Sequence, residues 1–145
     1  MNDHKEETNV EAVFSPILQL RKSPVVVDLS GVPDEVAGIC SAAIARTLFN
    51  SKVWQIPEER EKSPILLVCE EAHRYVPNRG DAQYEAAQEA IQRIAKEGRK
   101  YGIGLFLVSQ RPSEIDQTVL SQCNSWIVLR LTNEEDRSKV ASILP

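Results

Sequence analysis

Continuous apolar runs alternate with amphipathic stretches along this chain. Four runs rich in β-branched and aliphatic residues predict buried strands at 24–29, 64–70, 103–109 and 125–131. A helix is predicted after each strand: from Asp34, over 84–101, over 112–122 and from Asn133 onward. Because the strands are continuously apolar rather than alternating, they favour a parallel sheet that helices cover on both faces. The predicted fold class is therefore α/β, with three layers.

The first predicted helix has apolar residues three and four positions apart, the spacing of an amphipathic helix that faces a core. These residues are Val36, Ile39, Cys40, Ala43, Ile44 and Leu48. Ser113 and Asn133 are expected to cap the third and fourth helices. Residues 1–23 receive no assignment, so the chain divides into an N-terminal segment, 1–23, and one domain, 24–145.

The composition is that of a soluble globular domain, since 42% of the 145 residues are hydrophobic and 26% are charged. No apolar run approaches the roughly 18 residues of a membrane helix, and the N-terminus lacks the features of a signal peptide. Cys40, Cys69 and Cys123 are widely spaced, which predicts reduced thiols in the cytoplasm. A net charge of −4 gives the whole domain no attraction to nucleic acid.

Two adjacent acids, Glu70 and Glu71, end the second predicted strand. In a parallel sheet, ligands gather at the carboxyl ends of the strands. There Glu70 is predicted to hold Mg²⁺ through water, and Glu71 to orient or deprotonate an attacking water. The alternative is that the pair only marks the point at which the strand emerges into solvent.

The third predicted strand ends in a polar pair, Ser109 and Gln110. An amide at this edge can sense a γ-phosphate or a water, or it can simply cap the strand. Arg99 lies beside Gly98 at the end of the preceding helix. Taken by itself, Arg99 fits the basic last turn that a helix dipole favours.

A structural zinc site built from Cys69, Glu70, Glu71 and His73 is disfavoured, because Cys69 and Glu70 point to opposite faces of a strand. No second pair of ligands at zinc spacing exists in the sequence. His73 is instead expected to be a hydrogen-bonding neighbour of the acids. The same shortage of histidine partners argues against a cysteine nucleophile, and Asp28 is expected to form a turn.

The loop after His73 combines two arginines, Arg74 and Arg79, with two tyrosines, Tyr75 and Tyr84. Basic and aromatic groups of this kind contact nucleic-acid backbones and bases. A solvated surface loop with no ligand is the alternative.

Five segments together resemble the C-terminal half of the HerA-type ATPases, prokaryotic ring motors related to FtsK. They are "VVVDLSGV", "ILLVCEEAHRYVP", "RIAKEGRKYGIGLFLVSQRPSEID", "LSQCNSWIVLRL" and "NEEDRSKV", and they span about residues 24–144. The resemblance implies a partial RecA-like P-loop NTPase fold in which "ILLVCEE" is the Walker B strand. It also implies that Glu70 and Gln110 bind nucleotide, that Gln110 is the sensor, and that Arg99 is an arginine finger acting on the neighbouring subunit. Arg93, Lys100 and Arg130 are the rival candidates for the finger.

For the complete protein, the resemblance implies ATP and Mg²⁺ as cofactors, a ring that is expected to be a hexamer, and DNA as a partner. HerA-type proteins work with a NurA-type nuclease on DNA ends, and some relatives serve in phage defence. The chain is therefore expected to be the Walker B, sensor and finger half of a DNA translocase or helicase.

The resemblance is incomplete, because the 145 residues contain no GxxxxGK[ST] phosphate loop. The chain is expected to be a fragment that is inactive alone, with an unusual edge or a gap beside the 103–109 strand where the phosphate-loop strand would lie. The alternative is a non-catalytic remnant or assembly module of a degenerate ATPase.

Overall fold

A computed structural model of the protein describes residues 24–78 and 85–143. Residues 24–31 belong to a different compact unit from the residues that begin at Val32. In the larger unit the described helices are α1 (Asp34–Trp54), α2 (Pro57–Lys62), α3 (Glu85–Glu97), α4 (Gln117–Leu120) and α5 (Glu134–Ile143). The described strands are β1 (Ile65–Cys69) and β2 (Ile103–Leu107). Short 3₁₀ turns cover Ala72–Arg74, Gly98–Tyr101 and Pro112–Glu114.

The two strands pair in parallel, in a register that runs from Ile65 opposite Ile103 to Cys69 opposite Leu107. This confirms the α/β class and the parallel orientation predicted for these two segments. The predicted strands at 24–29 and 125–131 are not assigned as strands in the described residues. A strand is defined by its hydrogen-bonded partner, and β2 has no partner other than β1 in the described part of the chain.

One face of the two-stranded sheet is covered. Leu67, Leu105 and Leu107 pack against a buried cluster that includes Ile91 and Ile94 of α3. The opposite face is open among the described residues, where Leu66 is 62% exposed and Phe106 is 45% exposed. The sequence predicted helices on both faces of the sheet. Among the described residues, a helix covers one face.

Helix α1 packs against α3, and only part of the predicted stripe is buried. Val36 and Ile39 are exposed, whereas Ala37, Ala45 and Phe49 are buried. Of the predicted stripe, Leu48 is buried and Cys40, Ala43 and Ile44 are partly buried. The predicted face of α1 was therefore confirmed in part and was wrong for Val36 and Ile39.

The predicted caps had different outcomes. Asn133 Oδ1 accepts a hydrogen bond from the Glu135 N–H at 3.0 Å, which confirms the cap of α5. Asp116, and not Ser113, caps α4 by accepting from the Val119 N–H at 3.0 Å. Ser113 instead donates through its N–H and its hydroxyl to the buried carboxylate of Asp136, at 3.0 and 2.7 Å.

A groove of about 1530 Å³ lies between β2 and residues 124–131. On its far side Ile127 and Leu129 are each 81% exposed, although both are large and apolar. The gap predicted beside the 103–109 strand is therefore present in the structure.

Candidate functional site

The carboxyl ends of β1 and β2 lie side by side. Beyond the paired strands, the Val108 N–H donates to the Cys69 carbonyl at 2.9 Å, and the Ala72 N–H donates to the Val108 carbonyl at 3.0 Å. These two bonds hold the segment that follows β1 against the segment that follows β2. Both predicted polar pairs, Glu70–Glu71 and Ser109–Gln110, therefore emerge at the same edge of the sheet.

Glu71 adopts a left-handed backbone conformation, with φ 49° and ψ 49°. Among the described residues it is the one non-glycine residue with positive φ. This conformation costs about 1–2 kcal/mol for an L-residue, so the surrounding structure must impose it. The chain turns sharply here and buries Ala72 completely, while the Glu71 side chain stays 48% exposed.

His73 lies between the two strand ends. Its Nδ1 atom is 3.4 Å from Glu71 Oε2 and 3.2 Å from Ser109 Oγ. This confirms that His73 is a neighbour of the acid pair, through Glu71. The contact with Ser109 was not predicted, because residues 36 positions apart in sequence gave no signal of it.

Cys69 is buried, and this burial raises the pKa of its thiol to about 11. The thiol therefore stays protonated at neutral pH and is a poor metal ligand or nucleophile. Glu70, the next residue, is exposed at the strand end. In the described part of the chain, no group of three or more His, Cys, Asp or Glu side chains could hold a metal ion by itself. A cation at Glu70 would need further oxygen ligands from water or from a bound molecule.

Arg99 lies at the opposite end of β2 from Gln110. It belongs to the Gly98–Tyr101 turn that precedes the strand, whereas Gln110 follows it. Five strand residues at about 3.3 Å each separate the two ends by roughly 16 Å. The structure therefore brings Glu70, Glu71 and Gln110 to one edge, and leaves Arg99 away from them.

The turn that carries Arg99 has little freedom. A Cβ atom at Gly98 would lie 2.7 Å from the Ile103 carbonyl oxygen, so a larger residue would displace the turn. The Arg99 carbonyl accepts a hydrogen bond from the Gly102 N–H, whereas its exposed side chain forms no hydrogen bond or ion pair with another described residue. Two of its rivals have partners: the Arg93 guanidinium stacks 4.4 Å from the Phe49 ring, and Lys100 lies over Tyr101.

Two other predictions concern loops. The Asp28 carboxylate accepts a hydrogen bond from the Ser30 N–H at 2.9 Å, and this bond lowers the pKa of Asp28. Its predicted turn role is thus confirmed.

In the loop proposed to contact DNA, Arg74 forms an ion pair with Asp34. Arg79 and Tyr84 lie outside the described residues.

Similar proteins give the strongest indication of identity. The chain is 46% identical over 77 residues to the DNA double-strand break repair helicase HerA of Pyrococcus furiosus, and the match covers 53% of this chain. It is 36% identical over 117 residues to the protein of the same name from Sulfolobus acidocaldarius, with 79% of this chain covered. The chain belongs to the HerA-type helicases.

A third relative of this HerA-type chain is a probable helicase of Methanocaldococcus jannaschii, 31% identical over 130 residues and 88% of the chain. The chain spans 13%, 23% and 25% of the P. furiosus, S. acidocaldarius and M. jannaschii relatives, respectively. No family model matches it. Among the described residues, no helix has both the length and the apolar character that a membrane crossing requires.

Proposed function

We propose that this HerA-type chain supplies the Walker B, sensor and arginine-finger part of an ATP-driven DNA helicase or translocase. The observation that carries the proposal is the meeting of Glu70, Glu71 and Gln110 at the carboxyl edge of two parallel strands. Two of the relatives of this chain are named as DNA double-strand break repair helicases. The proposed setting is DNA end processing or phage defence.

Each group at this edge has a distinct proposed role. Glu71 orients and deprotonates the attacking water, Glu70 holds Mg²⁺ through water, and Gln110 contacts the γ-phosphate. Exposed carboxylates and an amide are oxygen-rich groups of the kind that suit ATP with Mg²⁺. When bound, the cation would neutralise charge on the phosphates. These 145 residues do not contain the phosphate-cradling loop and its lysine, so both would lie outside this part of the protein.

The groove beside β2 supports the proposal that the phosphate loop lies outside these 145 residues, whereas the acids and the sensor lie within them. Parallel sheets are normally buried and have more than two strands, yet β2 has a free edge among the described residues. We infer that a strand carrying the phosphate loop enters this groove and pairs with β2 on one side and residues 125–131 on the other. The added strand would help to complete the three-layer arrangement predicted from the sequence pattern. It would also match the RecA-like fold that the family resemblance implies.

Complementation tests this proposal. The chain is co-expressed with the phosphate-loop half of a HerA-type relative, and co-purification and ATP turnover are measured. We expect a stable, active complex. Ile127→Asp places a charge on the groove wall and is expected to abolish the complex. Trp54→Asp is the matched control, since Trp54 is 86% exposed but lies outside the groove.

The outcomes separate the two candidate functions. An active complex supports the motor. A stable complex that never hydrolyses ATP supports the alternative, a non-catalytic assembly module, which is favoured by the absence of GxxxxGK[ST] from the sequence. Failure of the two parts to associate contradicts the proposed strand insertion.

The assembly and partners of the complete protein are also proposals. The separation of Arg99 from the acid edge supports a ring, in which Arg99 of one subunit reaches the nucleotide of the next. A hexamer, a DNA substrate and a NurA-type nuclease partner follow from the family resemblance.

The chain alone is expected to bind ATP weakly and to show no turnover above background. Without the nest of backbone N–H groups and the lysine, nothing fixes the β- and γ-phosphates. Isothermal calorimetry and phosphate-release assays on the purified chain measure both quantities. Micromolar ATP binding that is lost in Glu70→Ala would contradict the prediction.

A further inference from the structure

One imidazole contacts both of the strand ends that carry the site. The Nδ1 atom of His73 is 3.4 Å from the carboxylate of Glu71, which follows β1, and 3.2 Å from the hydroxyl of Ser109, which follows β2. The His73 side chain is only 17% exposed, so neither contact is a mobile surface pairing. We propose that His73 is a positioning residue that fixes the Glu71 carboxylate relative to the Gln110 turn. This inference rests on the function proposed for Glu71.

The backbone around Glu71 creates the need for such a contact. Its left-handed conformation turns the chain out of the strand, and a half-exposed glutamate on this turn can sample several rotamers. The contact with a mostly buried ring restricts that sampling. The ring itself is held by the 3₁₀ turn Ala72–Arg74, in which Ala72 is fully buried.

Ser109 links His73 to the turn that carries Gln110, the proposed sensor. Its hydroxyl oxygen accepts a hydrogen bond from the Arg111 N–H at 3.0 Å, and this bond closes the turn around Gln110. A displacement of this turn by a bound phosphate would therefore move the hydroxyl that contacts His73. His73 and Ser109 together connect the water-activating acid to the residue proposed to contact the γ-phosphate.

The geometry assigns the proton on the ring. The Ser109 hydroxyl accepts from the Arg111 N–H and can still donate to or accept from His73, whereas an ionised Glu71 only accepts. A proton on Nδ1 would face the Glu71 carboxylate across 3.4 Å, which is favourable, whereas a bare Nδ1 would face the carboxylate lone pairs. Both contacts use the same nitrogen, so the arrangement is not a Ser–His–Glu nucleophile system, in which the acid and the serine contact opposite nitrogens.

Nitrogen NMR of the chain itself tests the geometry without any need for ATPase activity. The sequence contains two histidines, so ¹⁵N-histidine labelling with a His4→Gln reference sample assigns His73 directly. At about pH 8.5, where an ordinary imidazole is neutral, we expect His73 to be mainly protonated on Nδ1. The double variant Glu71→Ala/Ser109→Ala is expected to shift the proton toward Nε2, the form that free histidine favours.

Glu70→Ala is the matched control, since Glu70 is an adjacent acid with no contact to His73 among the described interactions. It is expected to leave the tautomer unchanged. A wild-type His73 with the same tautomer ratio as His4, or an equal response to Glu70→Ala, would overturn the proposed positioning. Failure of the ATPase proposal would leave this spectroscopic result unaffected, so the two failures are distinguishable.

The kinetic test uses the active complex of this chain with a phosphate-loop half. His73→Ala is expected to lower kcat by about ten- to a hundred-fold, the usual effect of removing a group that orients a catalytic ligand, with KM for ATP little changed. His73→Asn places an amide nitrogen near the Nδ1 position and is expected to recover most of kcat. His73→Gln, whose amide reaches the Nε2 position instead, is not. Equal loss in the Asn and Ala variants, or a change confined to KM, would contradict the assignment.

Discussion

Glu71→Gln is expected to abolish ATP turnover in the assembled motor while leaving nucleotide binding intact. Glutamine keeps the size of the side chain and its ability to contact His73, but it cannot accept a proton from water. Removal of a general base lowers the rate by about 10²–10⁴-fold, so kcat is expected to fall by this factor. Phosphate release measures kcat, and binding of a fluorescent ATP analogue measures affinity.

One further variant tests the role of the neighbouring acid, and another is a control. Glu70→Gln is expected to raise the Mg²⁺ concentration needed for half-maximal turnover, because that acid is proposed to act through the cation. Glu59→Gln changes an exposed acid of α2 and is expected to have no effect on turnover. Normal hydrolysis by Glu71→Gln would show that another residue is the base, and the pairing of roles proposed for Glu70 and Glu71 would be wrong.

Of the four predicted strands, the two that the structure contains are those that pair with each other. Residues 65–69 and 103–107 pair with each other, and both lie within their predicted boundaries. Residues 125–131 have an equally apolar sequence, but the groove separates them from β2. An apolar run therefore indicates a tendency to pair, whereas the existence of a strand depends on a neighbour at hydrogen-bonding distance.

Helix α1 shows a second limit, since its existence was predicted but its buried face was predicted only in part. Its aliphatic and alanine residues are spread around much of the helix, so more than one stripe fits the spacing of an amphipathic helix. The spacing of the apolar residues predicted that Val36 and Ile39 face the core, but both are exposed. The contact with α3 instead places Ala45 and Phe49 in the cluster that contains Ile91 and Ile94.

The candidate site was predictable where a general rule applied. Carboxyl ends of neighbouring parallel strands meet at one edge, so two strand-end pairs could be placed together from sequence. The left-handed turn at Glu71 and the contact of His73 with Ser109 could not, because both depend on how the chain packs after the strands end.

Arg99→Ala is the second change with a large expected effect, and we expect it to act across a subunit interface. Arg99 precedes β2, whereas Glu71 and Gln110 lie at the other end of the sheet. A separation of roughly 16 Å along the strand is too great for one side chain to reach the γ-phosphate site proposed for its own subunit. The same separation suits contact with the nucleotide of a neighbouring subunit.

A guanidinium fits this role because it is always charged and can bind two phosphate oxygens at once. Arginine fingers contribute about 10³-fold or more to turnover. Arg99→Ala rings are therefore expected to lose ATPase activity by about that factor, and Arg99→Lys is expected to recover little of it. If Arg99 only stabilised the helix end, its loss would change stability by less than about 1 kcal/mol and leave turnover nearly unchanged.

Mixed rings distinguish action in trans from action in cis. Arg99→Ala subunits retain Glu71, and Glu71→Gln subunits retain Arg99, so each pure ring is expected to be inactive. In a mixed ring, an intact acid edge can face an intact Arg99 from its neighbour, and ATPase activity is expected to return as the two types are combined. Mixtures of Arg130→Ala with Glu71→Gln test the rival arginine on the groove wall. No recovery with Arg99→Ala would place its action within one subunit, and full activity of pure Arg99→Ala rings would assign the finger to another residue.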